Sequence, residues 1–308
     1  MKKYYQKKIL IIKFGGLGDF ILSIDPFYNI RKHHEKESLI LLTEKNYYNI
    51  AKKTGWFNKI VTINRSLFYF YDRLQIKRKI NLPEIKKVYD LQTSKRSSSY
   101  FKLFMKHDTE WSGIARGCSH FHANKERDKL HTVDRFFDQL KFANISRYKR
   151  PKLNWLLQSV DKEKLPDNFA FIVPGGSAKR KYKRISAKTY ILIAEKLIEK
   201  NIIPLIVGSQ DEKNLCKYIC ALVPKAINCC NRYNIFQLAY LAQKSEVVIG
   251  NDTGPMHLFS KLGNKIFVLF TKYSDPGICA PKGKNVFIYK EDKICNFFKS
   301  LERKINCC

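Results

Sequence analysis

Ile9-Leu-Ile-Ile-Lys-Phe-Gly-Gly-Leu-Gly-Asp-Phe-Ile-Leu-Ser23 opens on an apolar run, turns through three glycines and re-enters an apolar pattern behind an acid. A short apolar run bounded by glycine reads as a strand buried on both faces, the kind found in parallel sheets. Glycine permits a tight turn and close backbone approach, and a helix starting beyond it offers free N–H groups to an anion or a carboxylate. The stretch therefore predicts a strand over residues 9–14 and a helix over about 19–32. Its spacing is neither the dinucleotide fingerprint G-x-G-x-x-G nor a P-loop, since no Lys-Ser or Lys-Thr follows. Asp19 has two readings at this point: a helix cap worth about 1 kcal/mol, or a functional carboxylate beside Gly16 and Gly18.

Outward from this stretch the pattern repeats. Strand candidates stand at 39–42, 60–63 and 88–89, with helical periodicity at 67–80 and 133–142. A polar stretch over 146–168, marked by Pro151 and Pro166, separates the halves. We place an N-terminal domain at 1–155 and a C-terminal domain at 156–308, with a last helix free to pack back on the first. The second half predicts strands at 169–173, 202–207, 247–249 and 266–270, and helices near 186–200, 212–222, 234–243 and 255–262. Alternation of this kind implies βαβ units, parallel sheets and an α/β protein of two doubly wound halves. Ligands of such sheets bind beyond the carboxyl ends of the strands, so the informative loops are those after residues 14, 173, 207, 249 and 270.

Three of those loops carry chemistry besides the first. Pro174-Gly-Gly-Ser-Ala-Lys-Arg-Lys-Tyr-Lys-Arg184 presents five cations and Ser177 after a strand end, a composition suited to clamping a diphosphate and equally that of a solvated basic loop. Val247-Val-Ile-Gly-Asn-Asp-Thr-Gly-Pro-Met-His257 is a strand, a polar turn and a helix start marked by Pro255. Its amides favour a phosphate, although capping alone explains part of the pattern. Val207-Gly-Ser-Gln-Asp-Glu212 ends in two acids, which suit either ribose hydroxyls or the dipole of the next helix.

Composition narrows the class. The 308 residues are 44% hydrophobic and 28% charged, an ordinary globular balance. Fifty-eight Lys and Arg against 27 Asp and Glu leave a net charge of +31, which attracts polyanions without naming one. The cations are spread along the chain and no nucleic-acid-binding module is visible, so no nucleic-acid partner is expected. The nine cysteines lack paired C-x-x-C spacing, and although Cys216 and Cys220 suit one helical face, no metal site is expected. No apolar run approaches membrane-spanning length and the start does not read as a signal peptide, so a cytoplasmic location is expected.

With these residues quoted, the chain resembles glycosyltransferase family nine, the heptosyltransferases that use ADP-heptose to build the inner core of lipopolysaccharide. The resemblance rests on the opening stretch, on Tyr89-Asp-Leu-Gln-Thr93 and on Asn251-Asp-Thr-Gly-Pro-Met-His-Leu258. It implies a GT-B fold, two Rossmann-like domains facing a central cleft, with acceptor bound mainly by the first and donor by the second, and no metal or other cofactor. It further implies an inverting transfer of heptose from ADP-heptose to Kdo-lipid A or a heptosylated core, at the cytoplasmic face of the inner membrane. By motif position Asp19 matches the catalytic aspartate and Lys183 the diphosphate-binding lysine. Ser177, Asp252, Thr253, Gly254 and His257 match donor contacts, and Glu212 the ribose contact with Asp211 as the near alternative. Thr93, Lys95 and Arg96 lie on the expected acceptor side, where the basic, hydroxyl-rich stretch 94–99 suits an anionic glycolipid or is a solvated loop. Three alternatives stand beside this reading: another nucleotide-sugar, a protein acceptor, and a non-enzymatic polyanion-binding protein.

Overall fold

The computed structural model describes residues 8–147, 150–160, 165–176 and 178–305. The chain divides into two compact units, Met1–Lys152 and Leu153–Cys308.

The first unit holds strands β1 Lys8–Ile12, β2 Ser38–Thr43, β3 Lys59–Thr62, β4 Ile85–Asp90, β5 Glu110–Gly113 and β6 His120–Phe121. Its helices are α1 Leu17–Leu22, α2 Ile24–His33, α3 Tyr48–Thr54, α4 Tyr69–Lys79, α5 Lys95–Tyr100 and α6 Thr132–Lys141. The strands form one parallel sheet in the order β3-β2-β1-β4-β5-β6. Residues Ile9 to Ile12 are all buried, because helices cover both faces and the central strand must be apolar on each. Ile11 lies in register with Leu41 on one side and Tyr89 on the other. Leu10, Ile12, Val88 and Trp111 meet in the core of this unit.

Two local expectations are corrected here. The helix predicted over 19–32 is two helices broken at Ser23. Pro26 has no N–H, and its ring would meet the carbonyl of Leu22 in a continuous helix. The stretch 94–99 is also helical, not a loop. Ser94 caps α5 by accepting from the Ser97 N–H at 3.1 Å, while the Ser97 hydroxyl accepts from the Ser94 N–H at 3.0 Å.

The second unit holds β7 Phe169–Val173, β8 Ile203–Ile206, β9 Ile227–Asn228, β10 Val248–Asn251, β11 Ile266–Phe270 and β12 Val286–Lys290. Its helices are α7 Ala187–Glu199, α8 Lys213–Leu222, α9 Ile235–Lys244, α10 Gly254–Phe259, α11 Pro276–Cys279 and α12 Ile294–Ile305. Its parallel sheet runs β12-β11-β10-β7-β8-β9. The last helix buries Phe297 and Leu301 in the core of its own unit, where the sequence left it free to return to the first.

Counted within each unit, both sheets have the strand order 3-2-1-4-5-6. The order reverses between the first and fourth strands, that is between β1 and β4 and again between β7 and β10. Beyond the carboxyl ends of those strands lies the crevice in which a doubly wound sheet binds its ligand.

Candidate active site

At the β1/β4 crossover the glycine loop is clamped from both sides. The Phe14 N–H donates to Gln92 Oε1 at 2.9 Å, and the Gly15 N–H to Glu44 Oε2 at 2.9 Å. A Cβ on Gly15 would lie 2.8 Å from both Glu44 Oε2 and the Tyr47 hydroxyl, so a larger residue there would have to push these two side-chain ends aside. Gly16 is the cap of α1 and Gly18 lies in its first turn. Asp19 is exposed beside them, and its carboxylate makes no hydrogen bond among the described residues. It does not cap the helix. Beneath the loop Lys13 is buried, 4.9 Å from the centre of the Phe136 ring. Burial pushes its pKa down to about 8, against the raising influence of Asp19 and Asp90 and with a further lowering from Arg135.

Asp90 ends β4 inside the protein. Burial raises its carboxyl to about 7, although the N–H groups of Thr93 and Gln92 and the charge of Lys13 oppose the shift. Its Oδ1 accepts from both N–H groups at 3.1 Å, while Oδ2 is buried without a hydrogen-bond partner among the described residues. This turn holds Thr93 at φ 42, a left-handed conformation costly for a β-branched residue. Lys95 is exposed at the start of α5. Arg96 instead turns inward, 2.7 Å from the buried Asp72, which also accepts from the Tyr100 hydroxyl at 2.6 Å and the Ser66 N–H at 2.9 Å.

At the β7/β10 crossover the organiser is Asn251. Its amide donates to the carbonyls of Pro174 at 2.7 Å and Gly175 at 2.9 Å, and its Oδ1 accepts from the Ile185 N–H and the Tyr190 hydroxyl. One buried side chain thus ties the basic loop to the end of β10. Asn251→Ala strips partners from four groups and is expected to lower stability by roughly 2–4 kcal/mol, read as a shift in the urea midpoint; an unmoved midpoint would show the pin to be dispensable. Gly250 is equally constrained, since a Cβ would lie 2.8 Å from the Val173 carbonyl oxygen and the Met256 sulfur.

Asp252 follows the pin. Ser274 and Cys279 donate to its Oδ2 at 3.3 and 3.4 Å, and His257 Nε2 lies 3.7 Å from Oδ1. Burial alone would raise this carboxyl, but His257, Cys279 and Lys183 outweigh it and hold the pKa below the usual value. Burial and the same carboxylate push the Cys279 thiol up to about 12. His257 is buried, with Nδ1 lacking any hydrogen-bond partner among the described residues. Thr253 caps α10, which starts at Gly254. Lys183, half-buried at the end of the segment Ala178–Lys183, acts electrostatically on Asp252. Tyr182 packs edge-to-face on Tyr273 at 5.3 Å, joining this segment to the loop beyond β11. Ser177 lies outside the described residues.

The turn after β8 separates its two acids. Glu212 is buried, accepting from the Ser209 N–H at 2.8 Å and its hydroxyl at 2.5 Å, with Arg184 at 3.2 Å from Oε1. Gly175 and Gly208 make room for it, as a Cβ on either would collide with its side chain. Asp211 is exposed. Thus Lys183, Asp252, Thr253, Gly254 and His257 gather at one crossover, while Asp19, Gly16, Gly18 and Thr93 border the other. Sequence reading missed Lys13, Asp90 and Arg135 behind Asp19 and Asn251 beneath Asp252. The signal for Asp90 and Lys13 was present, as a charged residue at the end of an otherwise apolar run. No group of three or more His, Cys, Asp or Glu able to hold a metal ion occurs among the described residues.

Residues 73–303 match the model of Glycosyltransferase family 9 (heptosyltransferase). The fold is similar to the glycosyl transferase family 9 structure from Veillonella parvula DSM 2008, at TM-score 0.75 and 16% identity over 97% of this chain and 92% of that one. It is also similar to E. coli ADP-heptose lps heptosyltransferase II, at TM-score 0.75 and 15% identity over 97% and 98%. E. coli heptosyltransferase WaaC with ADP-2-deoxy-2-fluoro heptose gives 0.69 and 15% over 96% and 99%. At these identities the structural likeness is one of fold. No curated protein matches the sequence.

Proposed function

The chain belongs to glycosyltransferase family 9, the heptosyltransferases, and on that footing we propose that it moves heptose from ADP-heptose to an anionic glycolipid, the Kdo-lipid A or heptosylated core of lipopolysaccharide, at the cytoplasmic membrane face. The observation that carries the donor half of this reading is the β7/β10 crossover. There the buried His257 Nδ1, without a partner among the described residues, and the Asp252 carboxylate stand at the start of α10, with Lys183 acting electrostatically on that carboxylate. Such a set suits a nucleoside diphosphate whose charge grows as it departs.

In the proposed reaction the acceptor hydroxyl oxygen attacks the anomeric carbon in line, with inversion. Asp19 takes the hydroxyl proton, and the bond between the anomeric carbon and the β-phosphate oxygen breaks, its electron pair leaving with ADP. Lys183 offsets the charge on the departing diphosphate, which needs no metal ion in this scheme. Asp252, Thr253, Gly254, His257 and Ser177 hold the donor, and the turn ending at Asp211 and Glu212 takes the ribose. Gly16 and Gly18 let the acceptor approach the backbone, while Thr93 and Lys95 border it. Arg96 supports the acceptor side from within, through Asp72.

Calorimetric titration with ADP, UDP and GDP, with and without magnesium, tests the donor. ADP is expected to bind at least about tenfold more tightly than the others, independently of magnesium, and Asp252→Ala to lose that preference. Tighter binding of UDP or GDP would replace the nucleotide, and no binding to any would overturn the reading.

A further inference from the structure

The segment leaving the carboxyl end of β3 exposes an unusual surface. Leu67, Phe68, Phe70, Tyr71 and Leu74 are 89%, 65%, 46%, 49% and 41% exposed. They fall within eight consecutive residues, and their rings touch one another: Phe70 and Tyr71 lie 4.0 Å apart, and Phe68 and Tyr71 6.4 Å. An apolar cluster of this kind, held open to water, marks an interaction site.

The exposure is built into the fold. Helix α4 turns Asp72 and Ile76 inward, both fully buried. Asp72 is locked by Arg96, Tyr100 and Ser66, as described above, so the helix cannot rotate to hide its aromatic face without breaking a buried ion pair. On the outer face, positions 70, 74, 77 and 78 fall in line. The first two are apolar and the last two are Lys77 and Arg78, both exposed, with Arg73 and Lys79 flanking them. Asp72 is the only acid in residues 65–79 and its charge is already matched.

An apolar tip continued by a basic turn is complementary to an anionic bilayer: the rings and Leu67 enter the headgroup region while the cations stay at the phosphates. We propose that residues 66–78 form a membrane-docking surface for anionic phospholipid. The placement suits the site. Arg65, just before the segment, pairs with Glu44 at 2.8 Å, and the same Glu44 carboxylate accepts from Gly15. The docking surface therefore adjoins the glycine loop that leads into α1 and Asp19 within the same unit. It rests on the proposed function only in that a lipid-linked acceptor must be met at a membrane.

Flotation of the full chain with mixed phosphatidylethanolamine–phosphatidylglycerol vesicles, with phosphatidylcholine vesicles as the neutral control, tests the proposal. No nucleotide or acceptor is present, so its outcome is independent of the donor reading. The combined variant Phe68→Ser, Phe70→Ser, Leu74→Ser is expected to bind anionic vesicles at least about tenfold less well. Lys77→Glu with Arg78→Glu is expected to cause a similar loss, together with a weaker salt dependence. Both variants alter exposed side chains only, and an unchanged thermal midpoint verifies their folding. Parent-like vesicle binding by the apolar variant would overturn the proposal. So would a dimer, seen by sedimentation, that this variant dissolves without changing vesicle binding, since the surface would then receive a second copy of the chain.

Discussion

Asp19→Ala is expected to lower turnover by roughly 10²–10⁴-fold, the contribution of a positioned general base, while the affinity for ADP stays within about twofold. The first half of that expectation follows from where Asp19 stands. It is exposed at the β1/β4 crossover, in the first turn of α1 just beyond a glycine loop that Gln92 and Glu44 hold in place, and buried Lys13 and partly buried Arg135 lie within electrostatic reach of it. The second half follows because Asp19 belongs to the first unit and the proposed nucleotide contacts to the second. A stability effect is not expected. The helix cap is Gly16, with no side-chain capping bond, so the alanine variant should melt within about 0.5 kcal/mol of the parent. Steady-state kinetics beside a melting curve separates the two roles, and an Asp19→Ala enzyme of full activity would remove Asp19 from the reaction.

Lys183→Ala is expected to lower kcat by roughly 10²–10³-fold, the size of effect seen when one donor to a developing charge is removed. The basic loop offers several cations, and the structure favours this one. Arg184 is directed to the Gly176 carbonyl and to Glu212, and Arg180 and Lys181 are exposed. Lys183 acts on Asp252, its charge helping to hold that carboxyl low. Lys183→Arg keeps the charge and should recover part of the loss, whereas Lys181→Ala should have less than about a threefold effect. Equal losses from Lys181→Ala and Lys183→Ala would mean that the loop acts as a diffuse positive field and not through one lysine.

Much of this architecture was legible because its central strands are buried on both faces. Phe169–Val173 and Ile266–Phe270 have the bounds expected from their unbroken apolar runs. The edge strands β6 and β12 were not legible for the opposite reason. In β12 partly exposed residues replace the buried run, and β6 is two residues long with a histidine in it. The break at Ser23 was written in Pro26, a signal the helical periodicity masked. Within the candidate site, sequence separated the loops that carry charge from those that do not. It did not distinguish residues that meet a ligand from residues that meet the protein. Glu212 and Arg96 have partners 28 and 24 positions away in the chain, and Asn251 reaches back 77 to Pro174. Such pairings follow from the crossover of a doubly wound sheet, which no local pattern records.

Heptosyl transfer from ADP-heptose is tested by mass spectrometry of the acceptor after incubation of the purified chain with ADP-heptose and Kdo-lipid A, without added metal. An acceptor heavier by one heptose unit is expected, with release of an equal amount of ADP, and neither product with Asp19→Ala over the same time. ADP release without a heavier acceptor, or a heavier acceptor formed only from a different nucleotide-sugar, would contradict it.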